Sequence, residues 1–446
     1  MLRNSLLLIL TKLSGRDFSE ELRIIESIDD GEMSLEHFVE RSLKDLLRHA
    51  HDKVRYYRSI LEESGVVEGG NVNLPNLPNV PTLSRFHLQD YLEDLLSSDI
   101  ASRRHYIEIT GGSMGRPIRV VKDLKSYRWA KASEFFYYDR FLGVNETLSK
   151  KIVLWGYARE LLEGPRLRDK IAHYLTNTMY LNVYLLNEDR LREIVRKIND
   201  YKPDILRGFS SFLYVLGRYI LENRLEVYSP KVIVSTAETL TSYRREVIEG
   251  AFGVKVYNFY GATEVPSIAG ECDEGSMHIF SFNNLVEVVN SEGDPVRGES
   301  LGKIIVTPLH NYAMPLIRYE IGDMAVPKHE RCDCGSVLPA LKEVSGRITE
   351  FVIRKDGTLL GGEFFDGVFK SEGWVRQFHV IQEDYNLLRI LVVPKKGSTV
   401  DLDAPERKIL SVMGEGCKIR WEIVDEIPRP LSGKHLYIRS LVWSRI

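Results

Sequence analysis

Apolar positions change their period several times along this chain. Over residues 1–60 they recur at helical spacing. In SLEHFVERSLKDLLRHAHDKVRYY, Leu43, Leu46 and Leu47 share one face and charged residues cover the others. The N-terminal run SLLLIL reads as part of an amphipathic helix. A Gly/Asn/Pro-rich link, EGGNVNLPNLPNVPTLS, follows, and Pro75, Pro78 and Pro81 predict extended backbone there. Ser84 then caps a helix over RFHLQDYLEDLLSS.

From about 105 to 270 two patterns alternate. Continuous apolar runs (KIVLWGY, LNVYLL, DILRGF, KVIVSTA, VKVYNFYG) predict buried strands, and LREIVRKIND, SSFLYVLGRYILENR and SYRREVIEGAF predict the helices between them. Strand and helix in turn imply a mostly parallel sheet covered by helices. Residues 285–326 (NLVEVVN, GKIIVTPL, PLIRYEIGDMAVP) form a β-rich piece. After EVSGRITEFVIRKDGT, residues 350–446 carry short strands and two helices, with a hinge near Ser345–Arg347. The chain is thus α/β. A large N-terminal domain, 1–345, has mostly parallel sheets covered by helices plus the β-rich piece. A small mobile α+β domain, 346–446, follows. No internal repeat is visible.

Composition narrows the function. The 446 residues are 43% apolar and 28% charged, as in a globular protein, and the formal net charge of −3 argues against bulk binding to nucleic acid. SLLLIL is too short to span a membrane, no other stretch approaches that length, and no cleavage pattern follows it. Four cysteines without a secretion pattern suggest metal binding or free thiols, and a cytoplasmic location follows by default.

Four short segments can carry chemistry. ITGGSMGRPI, 109–118, lies between two strand-like runs. Gly111, Gly112 and Gly115 let backbone amides approach an anion, and Thr110 and Ser113 add hydroxyls; alone, the segment reads more readily as a glycine hairpin. NFYGATEVP, 258–266, offers an aromatic ring for a flat base, a glycine for close approach and Glu264 for magnesium. PLIRYEIGDM, 315–324, presents Asp323 at a strand end, where a carboxylate accepts both hydroxyls of a ribose. IPRPLSGKHLYIRS, 427–440, is a rigid turn presenting Lys434, a compact charge suited to a phosphate oxygen. Two further loops pair soft ligands: Cys272 with His278, and Cys332 with Cys334. Together they suit a four-ligand zinc site of structural role, with His329 as an alternative ligand; free thiols are the plainer reading. Cys417 reads as core.

In this order and spacing the segments resemble the motif series of the adenylate-forming superfamily, which contains acyl-CoA synthetases. Within it the chain resembles the phenylacetate–CoA ligase branch and the related capsular-polysaccharide proteins. HDKVRYYRSIL, VPTLSRFHLQDYL, PDILRGFSSFLYVLG, VSTAETLT and AMPLIRYEIGD carry that resemblance across nearly the whole chain. It implies an ATP-dependent ligase that activates a carboxylic acid as an acyl-adenylate and transfers it to a thiol, most simply coenzyme A. Lys434 would bridge the carboxylate and α-phosphate, Glu264 would hold magnesium, and Asp323 the ribose, with Arg347 nearby. Thr110, Gly111, Gly112, Ser113 and Gly115 would cradle the β- and γ-phosphates. Tyr260 and the Ala237–Glu238 turn would flank the adenine, with Gly261, Ala262 and Thr263 beside them.

The chain also departs from the family. Gly111 replaces a Ser and Met114 a Thr in the phosphate loop, and Arg116 stands where many relatives have Lys. Ile348, Thr349 and Glu350 follow Arg347 where an Asp pair is common, and KDGTLLGGEFFDGVF looks more like the capsular type. An acceptor other than CoA (a carrier protein, a sugar amine, a coenzyme that is itself adenylylated) therefore stays open. So do a non-catalytic nucleotide-binding relative and a homodimer. SEFFYYDRFLG, 133–143, reads either as an acyl slot or as helix core.

Overall fold

Runs of residues buried on both faces make the centre of the molecule. The computed structural model describes residues 11–109, 118–155, 167–183, 188–347, 352–356, 359–360, 364–365, 368–369, 372–414, 416–427 and 438–442. A hairpin comes first: β1 (His105–Ile109) pairs antiparallel with β2 (Arg119–Asp123). Five parallel strands follow, β3 (Lys151–Trp155), β4 (Thr178–Asn182), β5 (Ile205–Phe209), β6 (Val232–Thr236) and β7 (Val256–Tyr260), lying side by side as β4-β3-β5-β6-β7. Every residue of β6, VIVST, is buried, as a strand covered on both faces requires.

Helices supply the two layers. On one face pack α1 (Ser19–Asp29) and α2 (Leu124–Arg140), whose Ile25, Ile28, Trp129, Phe136 and Tyr137 share a core with Val234 and Phe259. On the other pack α3 (Glu188–Tyr201), α4 (Ser210–Glu222) and α5 (Ser242–Phe252). Helix α3 shows why: Leu191, Ile194, Val195 and Ile198 fall on a single stripe and are all buried. Asp123, the last residue of β2, caps α2 by accepting from the Ser126 amide at 2.9 Å. Gly253, with φ of +69°, ends α5.

The β-rich piece continues the same sheet. After β7 the chain turns back as β8 (Ala269–Glu271) and β9 (Met277–Ile279). It then runs out through β10 (Asn284–Val289), β11 (Gly302–Pro308) and β12 (Tyr319–Lys328), and returns as β13 (Ala340–Arg347). Strand β13 pairs with both β12 and β9, so one eleven-stranded sheet results, ordered β10-β11-β12-β13-β9-β8-β7-β6-β5-β3-β4. Its last strand ends at Arg347. A distinct four-stranded sheet, made by β14 (Val375–Asp384), β15 (Leu387–Pro394), β16 (Lys418–Ile423) and β17 (Ile438–Ser440), has its own core of Phe365, Phe369, Val380, Ile390 and Ile409.

Sequence expectations change in detail. The link expected to be extended forms a 3-10 helix over Leu74–Asn79 that includes Pro75 and Pro78. RFHLQDYLEDLLSS is two short helices, Arg85–Asp90 and Leu92–Leu95, parted at Tyr91. In SEFFYYDRFLG, Phe136, Tyr137 and Tyr138 are core, as the helix-core reading has it. SLLLIL lies outside the described residues. No helix among the described residues is long and apolar enough to cross a membrane.

Candidate active site and metal centre

In sheets with parallel strands, ligands bind beyond the carboxyl ends of the strands. Here those ends hold the Ala237–Glu238 turn after β6 and Tyr260–Glu264 after β7. Ala237 has φ of +67°, a left-handed conformation that a residue with a Cβ adopts at a cost. The Glu238 carboxylate accepts from the Ser211 amide at 2.8 Å, which places it on the N-terminus of α4. Gly261 is required by contact: a Cβ there would stand 2.8 Å from the Ser267 amide nitrogen. The turn closes with the Ala262 amide donating to the Val265 carbonyl at 2.8 Å.

Strand β12 brings the second half of the site. Tyr260 donates its hydroxyl to Asp323 Oδ2 at 2.7 Å. Gly322, at φ +87°, turns the strand just before Asp323. The β12–β13 register sets Arg347 directly opposite Asp323. The structure thus joins Tyr260, Asp323 and the backbone of Arg347, three residues far apart in the chain. Glu264, four residues beyond Tyr260, is 6% exposed, with the buried Tyr319 hydroxyl 3.4 Å from its Oε1.

Sequence reasoning missed a buried lysine here. Lys122 on β2 has a side chain only 2% exposed and bonds Glu108 on β1 at 2.5 Å. It also donates to the Thr263 carbonyl, and Glu264 is close enough to act on it electrostatically. Burial pushes the Lys122 pKa down, and the two carboxylates oppose that. Glu108 and Lys122 flank the 110–117 segment, so this cation fastens the base of that hairpin to the turn bearing Glu264. A lysine within RVVKD gives no pattern signal for such a role. Thr110, Gly111, Gly112, Ser113 and Gly115, like Lys434, lie outside the described residues, as does the Arg347 side chain.

The cysteine loops do converge. The Cys272, His278, Cys332 and Cys334 ligand atoms all lie within 4.8 Å of one another. Cys272 Sγ is 3.6 Å from Cys332 Sγ, and Cys334 Sγ is 3.1 Å from His278 Nε2. A tetrahedron of Zn–S bonds of about 2.3 Å has edges of about 3.8 Å, close to this spacing. The His278 Nδ1 lies 3.1 Å from the Leu338 carbonyl, an arrangement that leaves Nε2 for a metal. Both loops are Cys-x-x-Gly turns: the Gly275 amide donates to the Cys272 carbonyl and Gly335 to Cys332, each glycine at φ +76°. His329 is not part of the cluster; its Nε2 contacts the Gly298 carbonyl at 3.0 Å, which removes the alternative ligand. The cluster sits at the ends of β8 and β12 away from Tyr260 and Asp323, not on the loops that carry them. Cys417 is buried in the C-terminal core.

The chain is similar to known proteins in sequence and in fold. Residues 352–440 match the family model of the CapK C-terminal domain. The phenylacetate–coenzyme A ligase of Thermus thermophilus is 26% identical over 325 residues, 70% of each chain. Protein CapK of Staphylococcus aureus is 21% identical over 453 residues, 94% of this chain and 91% of its own. Among solved structures, 2-hydroxyisobutyryl-CoA ligase in its postadenylation state superposes with a TM-score of 0.70 at 17% identity, over 91% of this chain and 90% of that one. The chain has the fold of this CoA ligase. In sequence it is similar to phenylacetate–CoA ligases and to CapK.

Proposed function

We propose that the protein activates a carboxylic acid with ATP and passes the acyl group to a thiol, coenzyme A in the simplest case. The observation that carries this reading is the junction of Tyr260, Asp323 and Arg347, with the buried Glu264 four residues beyond Tyr260, at the carboxyl edge of the parallel strands. A carboxylate is a poor electrophile. Its oxygen attacks the α-phosphate of ATP, the bond to the bridging oxygen breaks, and pyrophosphate leaves with the charge. The thiolate of the acceptor then attacks the acyl carbon and expels AMP. Most of the barrier is repulsion between anions, so positioned cations and amides lower it.

Asp323 would accept the ribose hydroxyls, exchanging its present bond from Tyr260, while the Tyr260 ring and the Ala237–Glu238 turn flank the base. The 110–117 segment would cradle the outer phosphates. Glu264, one buried carboxylate beside the phosphate position, suits magnesium, which takes few protein oxygens and keeps its phosphates and waters. When bound, the ion would supply neutralising charge on the phosphates. Lys434 would reach the reacting oxygens from a C-terminal domain that begins near 346, and movement about that hinge would exchange the lysine for the thiol. The Cys272–His278–Cys332–Cys334 set would hold zinc in a structural role. A reducing cytoplasm suits these thiols, and a homodimer is compatible with the reading.

The test is ATP–pyrophosphate exchange with a panel of acids, then CoA. Exchange that disappears in Lys434→Ala, while that variant still converts a supplied acyl-adenylate, supports the assignment. Full exchange by Lys434→Ala removes it. One observation favours a second reading with another acceptor: residues 352–440 match the family model of the CapK C-terminal domain. Rapid exchange without any thioester when CoA is added would select it.

A further inference from the structure

Strand β5 places a charge where its neighbours are apolar. In ILRGF, Arg207 stands in register with Val153 on β3 and Val234 on β6. Its guanidinium lies 5.4 Å from the ring centre of Phe259, the residue before Tyr260. We propose that the acid activated at this site carries a second anionic group, and that Arg207 with Lys131 binds it. This rests on the adenylation reading above and adds the substrate class.

The charges do not balance among themselves. From α2, Glu134 bonds Arg207, and Lys131 bonds the same carboxylate at 2.6 Å. Nearby, Lys151 and Glu146 satisfy each other. Among the described residues, two cations therefore share Glu134, which leaves one positive charge in excess. Their exposure is ordered as well. Glu134 is 9% exposed, whereas Arg207 is 24% and Lys131 41% exposed. The carboxylate is the covered member and holds two cations towards water. Burial works against the Glu134 charge, but Lys131 and Arg207 outweigh it and keep the group ionised far below the usual carboxylate range. Among the described residues, Glu134 is the only hydrogen-bond partner of the Arg207 guanidinium. The fork retains donors for a planar anion, which a guanidinium binds in bidentate fashion.

The surroundings fit a short apolar link. Val153 and Val234 flank Arg207 on the neighbouring strands, and Tyr180, in register with Val153, stacks on His173 at 4.3 Å. Arg207 lies two residues inside the strand end at Phe209, about 7 Å at the usual strand rise. An acid whose first carboxylate reacts beyond the strand ends and whose second anion lies several bonds away spans that interval.

The experiment measures ATP–pyrophosphate exchange with glutarate, adipate and pimelate against pentanoate, hexanoate and heptanoate, and with 4-carboxyphenylacetate against phenylacetate. The expected wild-type result is a kcat/KM at least tenfold higher for the diacid of a matched pair. Arg207→Met should reduce that ratio at least tenfold, and Glu134→Gln should keep or raise it. If Arg207→Met does not fold, Arg207→Lys, which keeps charge but loses the fork, should give an intermediate ratio. Faster exchange with the monoacids, or a ratio unchanged by the Arg207 variants, overturns the inference. If no acid exchanges in the wild type, the adenylation reading fails instead. Calorimetric titration with the same acids then decides: diacid binding lost in Arg207→Met supports the anion site, and equal binding of diacid and monoacid overturns it.

Discussion

Removing the Lys122 charge is the sharpest perturbation of the candidate site. Lys122→Met keeps the stem and the volume and deletes two bonds, to Glu108 and to the Thr263 carbonyl. Glu108 is 40% exposed and regains water, so its share is small. The Thr263 carbonyl loses its cationic partner, a hydrogen bond worth about 1 kcal/mol net, and Thr263 is an exposed residue that water can reach. Burial already disfavours the Lys122 charge, so its removal offsets part of that loss. The net effect on stability should be small, on the order of 1 kcal/mol at most. Catalysis should suffer more, because the bond fixes the turn that carries Glu264. A displacement of about 1 Å at such a position costs on the order of 10²-fold. The assay is pyrophosphate exchange as a function of magnesium and ATP. We expect the magnesium concentration for half-maximal rate to rise about tenfold and kcat/KM for ATP to fall about 10²-fold. A lowered melting temperature with unchanged magnesium dependence and unchanged exchange would refute the reasoning and leave Lys122 a purely structural cation.

Other substitutions probe the remaining parts. Asp323→Asn keeps the shape and weakens charge-assisted bonds to the ribose, so KM for ATP should rise about 10- to 100-fold, read from the same exchange assay. Gly261→Ala forces a Cβ to 2.8 Å from the Ser267 amide; a loss of about 1–3 kcal/mol in a denaturant titration and a collapse of exchange are expected. Protein purified without added metal should contain about one zinc per chain. Cys332→Ser should lose most of it and melt several degrees lower, while a zinc content near zero in the wild type would end the metal assignment.

The elements of the parallel half were readable because their physics is local. KVIVSTA and KIVLWGY are long enough apolar runs to declare buried strands, and α3 declares its stripe. Strand order was not readable, because apolar runs covered on both faces pair equally well with any neighbour. For the same reason the β-rich piece could be placed in the large domain without its strands being joined to the parallel ones. Only the β9–β13 contact shows that it continues the sheet, and Met277 opposite Leu341 leaves no trace in either segment. The cysteine pairs were legible from ligand chemistry, but His329 could be dismissed only once the loops had positions. Asp323 and Tyr260 were each visible as turn residues; their bond depends on three strands meeting. Lys122 and Arg207 left a faint signal, a cation inside an apolar strand, which geometry alone converts into a role.

The β9–β13 seam also bears on how the chain is made. Strands β3 to β7 pair with one another within one continuous stretch ending at Tyr260. They can assemble as soon as that stretch has left the ribosome. Strand β9 cannot gain its second partner until Ala340 and Leu341 have emerged, after β10, β11 and β12 have all been synthesised. Long-range antiparallel closure of this kind is slow, and it leaves a strand edge unpaired meanwhile. Translation therefore passes through a stage in which half the sheet is built and β9 waits with an open edge. A pause in elongation between residues 280 and 340 would prolong that exposure. Synonymous codon changes in that interval should alter the yield of soluble protein without altering the protein itself.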